Sequence, residues 1–394
     1  MLIDMIRDHD PAEHEQSTGP LWPNQHLLNR ADARARLNTP ALIVDLDALD
    51  RNIRALADYA RSAGVNVRPH MKCHKSLEIA RRQMESGAVG ACCATISEAE
   101  VLARGGIRNI LITSPLTTAE KIVRACRLTR QVERLAVVTD HPANLEQLAE
   151  AARAQGCLLR VLVDIDPGTH RTGVATDAAC VSLALDCMAR DELIFEGVQF
   201  YAGAGQHIES LTARREYAFA MMDKLQAVCE KLREAGCAPV VVSGSGTGSF
   251  DIDAQARVLT ELQPGSYVFM DNQYCRLEYA EARPSFERAL FVQAAVISAN
   301  HPGMVTVDAG LKQFAVDGGS PVVTRGAPLG AVFTYMGDEH GRLTVGEGQP
   351  MPPLGGKIEF GVPHCDPTVN LYNRFHCFRG EKLVDIWPVD ARGS

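Results

Sequence analysis

The sequence predicts an α/β protein: a TIM-type (β/α)8 barrel followed by a second, mostly β C-terminal domain. Three observations predict it. Eight short apolar runs, at 65–70, 90–95, 109–113, 134–139, 158–165, 194–201, 239–243 and 258–263, alternate with amphipathic helical segments, the pattern of βα units closing around a parallel sheet. After Asp271 the texture changes to strand-like runs (ALFVQAAVI, MVTVDAG, PVVT, AVFTYM, GRLTV, KIEFG, LVDIW) separated by Gly-, Pro- and Asp-rich turns. The length of 394 residues suits one barrel of roughly 200–250 residues plus a smaller partner.

Taken in order, the first 38 residues mix His, Asp, Pro and Asn without apolar periodicity and read as an extended arm. TPALIVDL, from Thr39 to Leu46, reads as a strand. It leads into a helix on which Leu49, Ile53, Leu56 and Ala60 recur at helical spacing, with Gly64 as its stop. Capping boxes of the S/T-x-x-E kind, Ser97 with Glu100 and Thr117 with Glu120, mark the starts of two later helices. The expected division is an arm over 1–38 that partly joins the β domain, a barrel over 39–272 and a β domain over 273–394.

Composition narrows the function. Hydrophobic residues make up 46% and charged residues 22%, as in a soluble globular protein, and no apolar run approaches the ~18 residues of a membrane span. Disorder and a membrane role are excluded. With 48 acidic against 40 basic side chains and a net charge of -8, no basic block offers a nucleic-acid footprint, so a small-molecule partner is expected. Twelve Cys in so long a chain, behind an N-terminus (MLIDMIRDHD) too charged for a secretory signal, point to reduced thiols in the cytoplasm.

In such a barrel, function sits on the loops that follow the strands. In VNVRPHMKCHK, period-two alternation puts Asn66, Arg68, His70 and Lys72 on one face, with Lys72 at the C-terminal mouth. A lysine aimed into a barrel mouth is a Schiff-base candidate; Lys75 is the alternative, and a solvated surface lysine is the bland one. SGSGTGS (243–249) and QPGSY (263–267) follow the seventh and eighth strands, where glycine N–H groups and hydroxyls can cradle a phosphate. Without a GK[ST] ending the first is no P-loop. DPGTHRTGV presents Arg171, and QFYAGAGQH presents Gln199, Tyr201, Gln206 and His207. In VPHCDPTVN, His364 and Asp366 are two apart; on an extended segment they would face the same way and could grip one divalent metal while Cys365 points elsewhere. DEHG (338–341) passes as a hairpin turn. A mouth lysine with a phosphate cradle suggests pyridoxal phosphate, or an aldolase working on a phosphorylated sugar.

Together these motifs resemble the D-threonine aldolase family, within the fold-type III pyridoxal-phosphate enzymes that also include alanine racemase and eukaryotic-type D-serine dehydratase. The match runs through TPALIVDLDAL, RPHMKCHK, SEAE, RTGV, SGSGTGS, LQPGSYVFMD, VDAGLK, DEHG, PHCDPT and WPVDARG. The 3-hydroxy-D-aspartate aldolases share the pattern. The resemblance implies that Lys72 links the cofactor and that Arg171 contacts its ring or phenolic oxygen; Gln199 and Tyr201 offer hydrogen bonds to the ring's polar edges, and His70 is expected beside them at the cofactor. Ser245, Gly246, Thr247, Gly265, Ser266 and Tyr267 would surround the phosphate, and His364 with Asp366 would bind the metal. A carboxylate ligand suits manganese, magnesium or cobalt better than a strict zinc site. Two departures stand out: Ala202 replaces the family's His or Gln, and Ser245 replaces a glycine of SGGGTGS.

The implied reaction is cleavage of a 3-hydroxy-D-amino acid to glycine and an aldehyde, or to glycine and glyoxylate from 3-hydroxy-D-aspartate. The metal would acidify the β-hydroxyl, and His207 would take its proton, with metal-bound hydroxide as rival base. The competing enzyme is a D-serine dehydratase, whose branch has His and Cys two apart. A pyridoxal-phosphate carrier without chemistry would lack the β domain. A homodimer follows by analogy with racemases of this fold.

Overall fold

The computed structural model describes residues 23–394. The first strand is β1 (Ala41–Asp45). The barrel is then built from β2 (Asn66–Val67), β3 (Ala91–Cys93), β4 (Asn109–Ile112), β5 (Arg134–Thr139), β6 (Leu159–Asp164), β7 (Leu193–Phe200), β8 (Val241–Gly244) and β9 (Glu261–Leu262). RLAVVT of β5 and LRVLVD of β6 are apolar nearly throughout because helices cover one face and the barrel interior the other, and both strands are buried almost end to end. The parallel sheet runs β2-β9-β8-β7-β6-β5-β4-β3. Its two edges meet where Val89 N–H donates to Val67 O and Cys92 N–H to Pro69 O, each at 2.9 Å. All eight strands expected from the sequence are present, and the barrel closes.

The second sheet is assembled from β10 (Leu290–His301), β11 (Met304–Val307), β12 (Val322–Arg325), β13 (Val332–Tyr335), β14 (Gly341–Thr344), β15 (Lys357–Gly361), β16 (Arg374–Arg379) and β17 (Lys382–Pro388), together with β1. β1 lies antiparallel to β10, with Ala41 opposite Gln293, and parallel to β16, with Ile43 opposite His376. The strand expected to open the 39–272 unit therefore belongs to the β domain. An apolar run buried on both faces fits either sheet, and its partners lie some 250 to 330 residues away in sequence, where no local pattern reports them. The helix Leu46–Ala63 carries the chain from β1 back to the barrel. Asp45 caps its start by accepting from the N–H groups of Asp47 and Ala48, and Gly64 ends it at φ 68. From residue 23 onward the chain contacts the second sheet: Asn29 N–H donates to Leu383 O, and Arg34 Nη1 reaches both Glu359 oxygens at 2.7 and 2.8 Å. The remainder of the arm lies outside the described residues.

Three local expectations change. The capping box of Ile96–Arg104 is formed by Thr95 and Glu98, two residues earlier than expected: Thr95 Oγ1 accepts from Glu98 N–H, and Glu98 accepts from Ala94 N–H. Ser97 and Glu100 instead hold Arg124. The helix Ala119–Leu128 starts at Thr118 without a side-chain cap, so Thr117 and Glu120 form no box. The extended reading of the HCD tract also fails, because Cys365–Asn370 is a short helix with His364 as its N-cap. Among the described residues no helix is long and apolar enough to cross a membrane.

Candidate active site

The C-terminal ends of the barrel strands surround a cavity of about 370 Å³, within the range of small-molecule sites. His70, Lys72, Arg171, Gln199, Tyr201, Gly246, Thr247, Gly265 and Ser266 all line it, joined by Thr113, Gln263 and Tyr274.

One end is made of backbone. The loops after β8 and β9 face each other, and the N–H groups of Gly246, Thr247, Gly265 and Ser266 have no acceptor among the described residues. Four unspent donors on one wall form a site for an anion. The loops are held from behind: Tyr267 N–H donates to Thr247 Oγ1 at 3.1 Å, Gly248 N–H to Gln206 Oε1 at 2.9 Å, and Arg283 to Thr247 O at 2.7 Å. A Cβ at position 246 would lie 2.5 Å from Gln206 Oε1, so a side chain there would displace the amide that holds Gly248. Two residues expected at the phosphate do not line the cavity. Tyr267 turns its ring outward onto Phe286, with its hydroxyl accepting from Gln83, and its N–H is already spent on Thr247. Ser245, at φ 75, sits outside the lining with its hydroxyl beside Asp253.

Lys72 lies beside the second of these loops, since the Ser266 hydroxyl donates to Asp366 Oδ1 at 3.3 Å and Lys72 pairs with the same carboxylate. β2 is only two residues long, and Lys72 reaches the mouth from the 3-10 turn Met71–Cys73, so strand alternation is not what aims it. Its Nζ lies 2.6 Å from Asp366 Oδ2. Burial opposes the lysine's charge, but the Asp366 carboxylate beside it prevails and raises its pKa. In turn, burial would raise Asp366 and the lysine draws it down to about 2. Lys75 points elsewhere: it is buried, with Nζ donating to Ser394 O at 2.9 Å and lying 3.5 Å from Glu98. The two lysines thus have different surroundings, and only Lys72, the one that strand alternation favours, lines the cavity.

The ring-edge groups are braced by side chains. Burial, assisted by the nearby Lys72 charge, lowers His70 to about 3, so its imidazole is neutral. Its Nδ1 accepts weakly from Lys72 N–H at 3.4 Å, which leaves Nε2–H to donate to Thr113 Oγ1 at 3.0 Å. Gln199 Nε2 donates to Asp164 and to Thr113 O, both at 2.9 Å. Its Oε1 is buried without a hydrogen-bond partner among the described residues. Arg171 forms no ion pair among the described residues, and its guanidinium lies 5.3 Å from the Tyr201 ring centre.

The HCD tract meets the lysine side of this cavity. Buried Asp271 accepts from Cys365 N–H at 2.9 Å and from the N–H groups of Gln273 and Tyr274 at 3.1 Å, fixing the tract and the Tyr274 segment together. Cys365 does not point away from Asp366, as the extended reading implied. Its Sγ is 3.3 Å from Asp366 Oδ1, and with Cys73 these donors lie within 4.8 Å of one another. His364 is outside that cluster; its Nδ1 bonds Asp317 Oδ2 at 2.7 Å. His207 packs against Tyr274 in a tilted ring contact, with centres 4.9 Å apart and planes inclined by 40°. Its pKa lies below the ordinary histidine value, chiefly through burial, with His364 and Lys72 among the charges it feels. Sequence reasoning missed Thr113, Tyr274, Asp317 and Asp271. Only Asp271, at the end of the LQPGSYVFMD motif, carried a signal.

A barrel whose mouth holds a lysine and two loops with unspent backbone N–H groups, joined to a β domain that delivers an HCD tract, defines the class of two-domain, alanine-racemase-like proteins. Residues 44–273 match the model of the alanine racemase N-terminal domain, and 289–378 match the one described as "Putative serine dehydratase domain". The chain is 38% identical to a 3-hydroxy-D-aspartate aldolase of Paracoccus denitrificans (strain Pd 1222), over 91% of this chain and 93% of that one. It is also 38% identical to a D-threonine aldolase of Arthrobacter sp., over 92% and 94%. The crystal structure of D-threonine aldolase from Filomicrobium marinum superposes with a TM-score of 0.88 at 40% identity, covering 91% of this chain and 97% of that one. The chain belongs to the family of D-threonine and 3-hydroxy-D-aspartate aldolases.

Proposed function

We propose that the protein is a pyridoxal phosphate- and divalent-metal-dependent aldolase that cleaves 3-hydroxy-D-amino acids to glycine and an aldehyde. One observation carries this reading: Lys72 Nζ and Asp366, 294 residues apart in sequence, meet at 2.6 Å, bringing the cofactor-linking amine and the HCD tract to one point of the cavity.

The residues fit both groups. The unspent N–H groups of Gly246, Thr247, Gly265 and Ser266 suit a phosphate, and Lys72 lines the same cavity, where its amine would bond the cofactor's aldehyde. Arg171, Gln199, Tyr201 and His70 line the walls between. Bound pyridoxal phosphate supplies an electron sink for the pair left on Cα when the Cα–Cβ bond breaks. His364 and Asp366 offer an imidazole and a carboxylate oxygen, a donor set for manganese, magnesium or cobalt. Such a cation supplies a Lewis acid that lowers the pKa of the β-hydroxyl.

The chain's own groups do the rest. The phosphate cradle and Lys72 fix one end and one face, so a substrate amine meets the site in a single orientation. His207, neutral near pH 7 because its pKa is depressed, takes the β-hydroxyl proton on a ring nitrogen. A base works only when unprotonated, so activity should fall as pH drops through the His207 pKa. The acid limb should therefore lie below the ordinary histidine value of ~6.5. His207→Asn should lose that limb and about 10²–10⁴-fold in kcat, and an unchanged acid limb in this variant would assign the proton to another group.

The reading is tested by glycine release. D-Threonine should give glycine and acetaldehyde in the presence of cofactor and Mn²⁺, and L-threonine should be inert. Equal cleavage of both enantiomers, or glycine from neither, would overturn it. A homodimer and a cytoplasmic location complete the proposal.

A further inference from the structure

The Asp317–His364 hydrogen bond is not explained by packing. Asp317 is 56% exposed on its side chain, and an exposed pair of this kind adds little to stability. Yet the bond is short, 2.7 Å from Asp317 Oδ2 to His364 Nδ1. Asp317 has no Lys or Arg within ion-pair distance among the described residues. Its loop is pinned where it must be to make this contact. A Cβ on the next residue, Gly318, would lie 2.6 Å from Pro363 O, so the two segments pass in close contact beside His364. Arg276 secures the same loop by donating to Gly318 O at 3.2 Å.

An imidazole presents one nitrogen as a donor and the other as an acceptor, and a carboxylate on Nδ1 decides which. With Nδ1–H given to Asp317, the lone pair of the neutral ring is on Nε2. We propose that Asp317 is a positioning residue that holds His364 in the Nε2-free tautomer, facing the divalent-cation site. This rests on the reading of His364 as a metal ligand.

The test is Mn²⁺ binding to purified, cofactor-loaded protein without substrate, followed by the electron paramagnetic resonance signal of free Mn²⁺. His364→Ala should lose the site. Asp317→Ala should bind Mn²⁺ about 10–100-fold more weakly, the usual scale for removing a group that orients a ligand. Asp317→Asn, whose amide oxygen can still accept from Nδ1–H, should recover part of that loss. Thermal midpoint and cofactor absorbance should stay at their wild-type values in both Asp317 variants, which separates orientation of His364 from general damage. Wild-type Mn²⁺ affinity in Asp317→Ala, with binding lost in His364→Ala, overturns the inference and leaves the metal reading standing. Undiminished binding in His364→Ala overturns both.

Discussion

Lys72→Ala protein should emerge from purification with pyridoxal phosphate without visible cofactor absorbance, should yield no adduct after borohydride reduction, and should show no detectable cleavage. Lys75→Ala should retain the absorbance and the adduct. The two residues lie on one turn of chain but face different surroundings. Lys72 lines the cavity beside Asp366, whereas Lys75 is folded back onto Ser394 O and Glu98. Removing Lys72 takes away the amine proposed to bond the cofactor. It also strands the Asp366 carboxylate, which this ammonium holds at about 2 against the pull of burial. An adduct mapped to Lys75 would contradict the assignment.

Chelation should abolish turnover while leaving the cofactor absorbance in place, because the phosphate cradle and Lys72 do not depend on His364. The loss should be at least roughly a hundredfold, the scale of removing one electrostatic stabiliser of a developing oxyanion. Mn²⁺ should restore the wild type and fail to restore His364→Ala or Asp366→Ala. The His364 variant is the cleaner probe, since Asp366→Ala also deprives Lys72 of its partner. Full activity after exhaustive chelation would exclude the metal role.

The fold was largely legible because its signals are local. Apolar runs near 134–139 and 158–165 needed no knowledge of their partners to read as buried parallel strands. β1 read as a strand for the same reason, yet its sheet was hidden, since pairing with β10 and β16 is a long-range choice between two compatible surfaces. β16 (RFHCFR) has no clear apolar signature, because charges at both ends and a His within mask its buried Phe375, Cys377 and Phe378. At the site, residue types carried the reading more faithfully than the geometry invoked for them. Lys72 was chosen by strand alternation and reaches the cavity from a 3-10 turn. His364 and Asp366 were paired on an extended segment that is a helix start. Tyr267 was placed by its motif, whereas its ring packs on the far side of the loop. Supporting groups such as Thr113 and Asp317 have no sequence signature, because their roles exist only through contacts made in three dimensions.

The central claim, carbon–carbon cleavage in place of dehydration, is tested most directly by the products of 3-hydroxy-D-aspartate and D-threonine. Both reactions use the same lysine, cradle and metal, so cofactor spectra cannot separate them, and residues 289–378 match a domain described for a dehydratase. If the β-hydroxyl loses its proton to a base instead of leaving as water, glycine should account for the consumed substrate, matched by glyoxylate from the first and acetaldehyde from the second. Oxaloacetate or 2-oxobutyrate with stoichiometric ammonia as the dominant products would contradict the aldolase assignment.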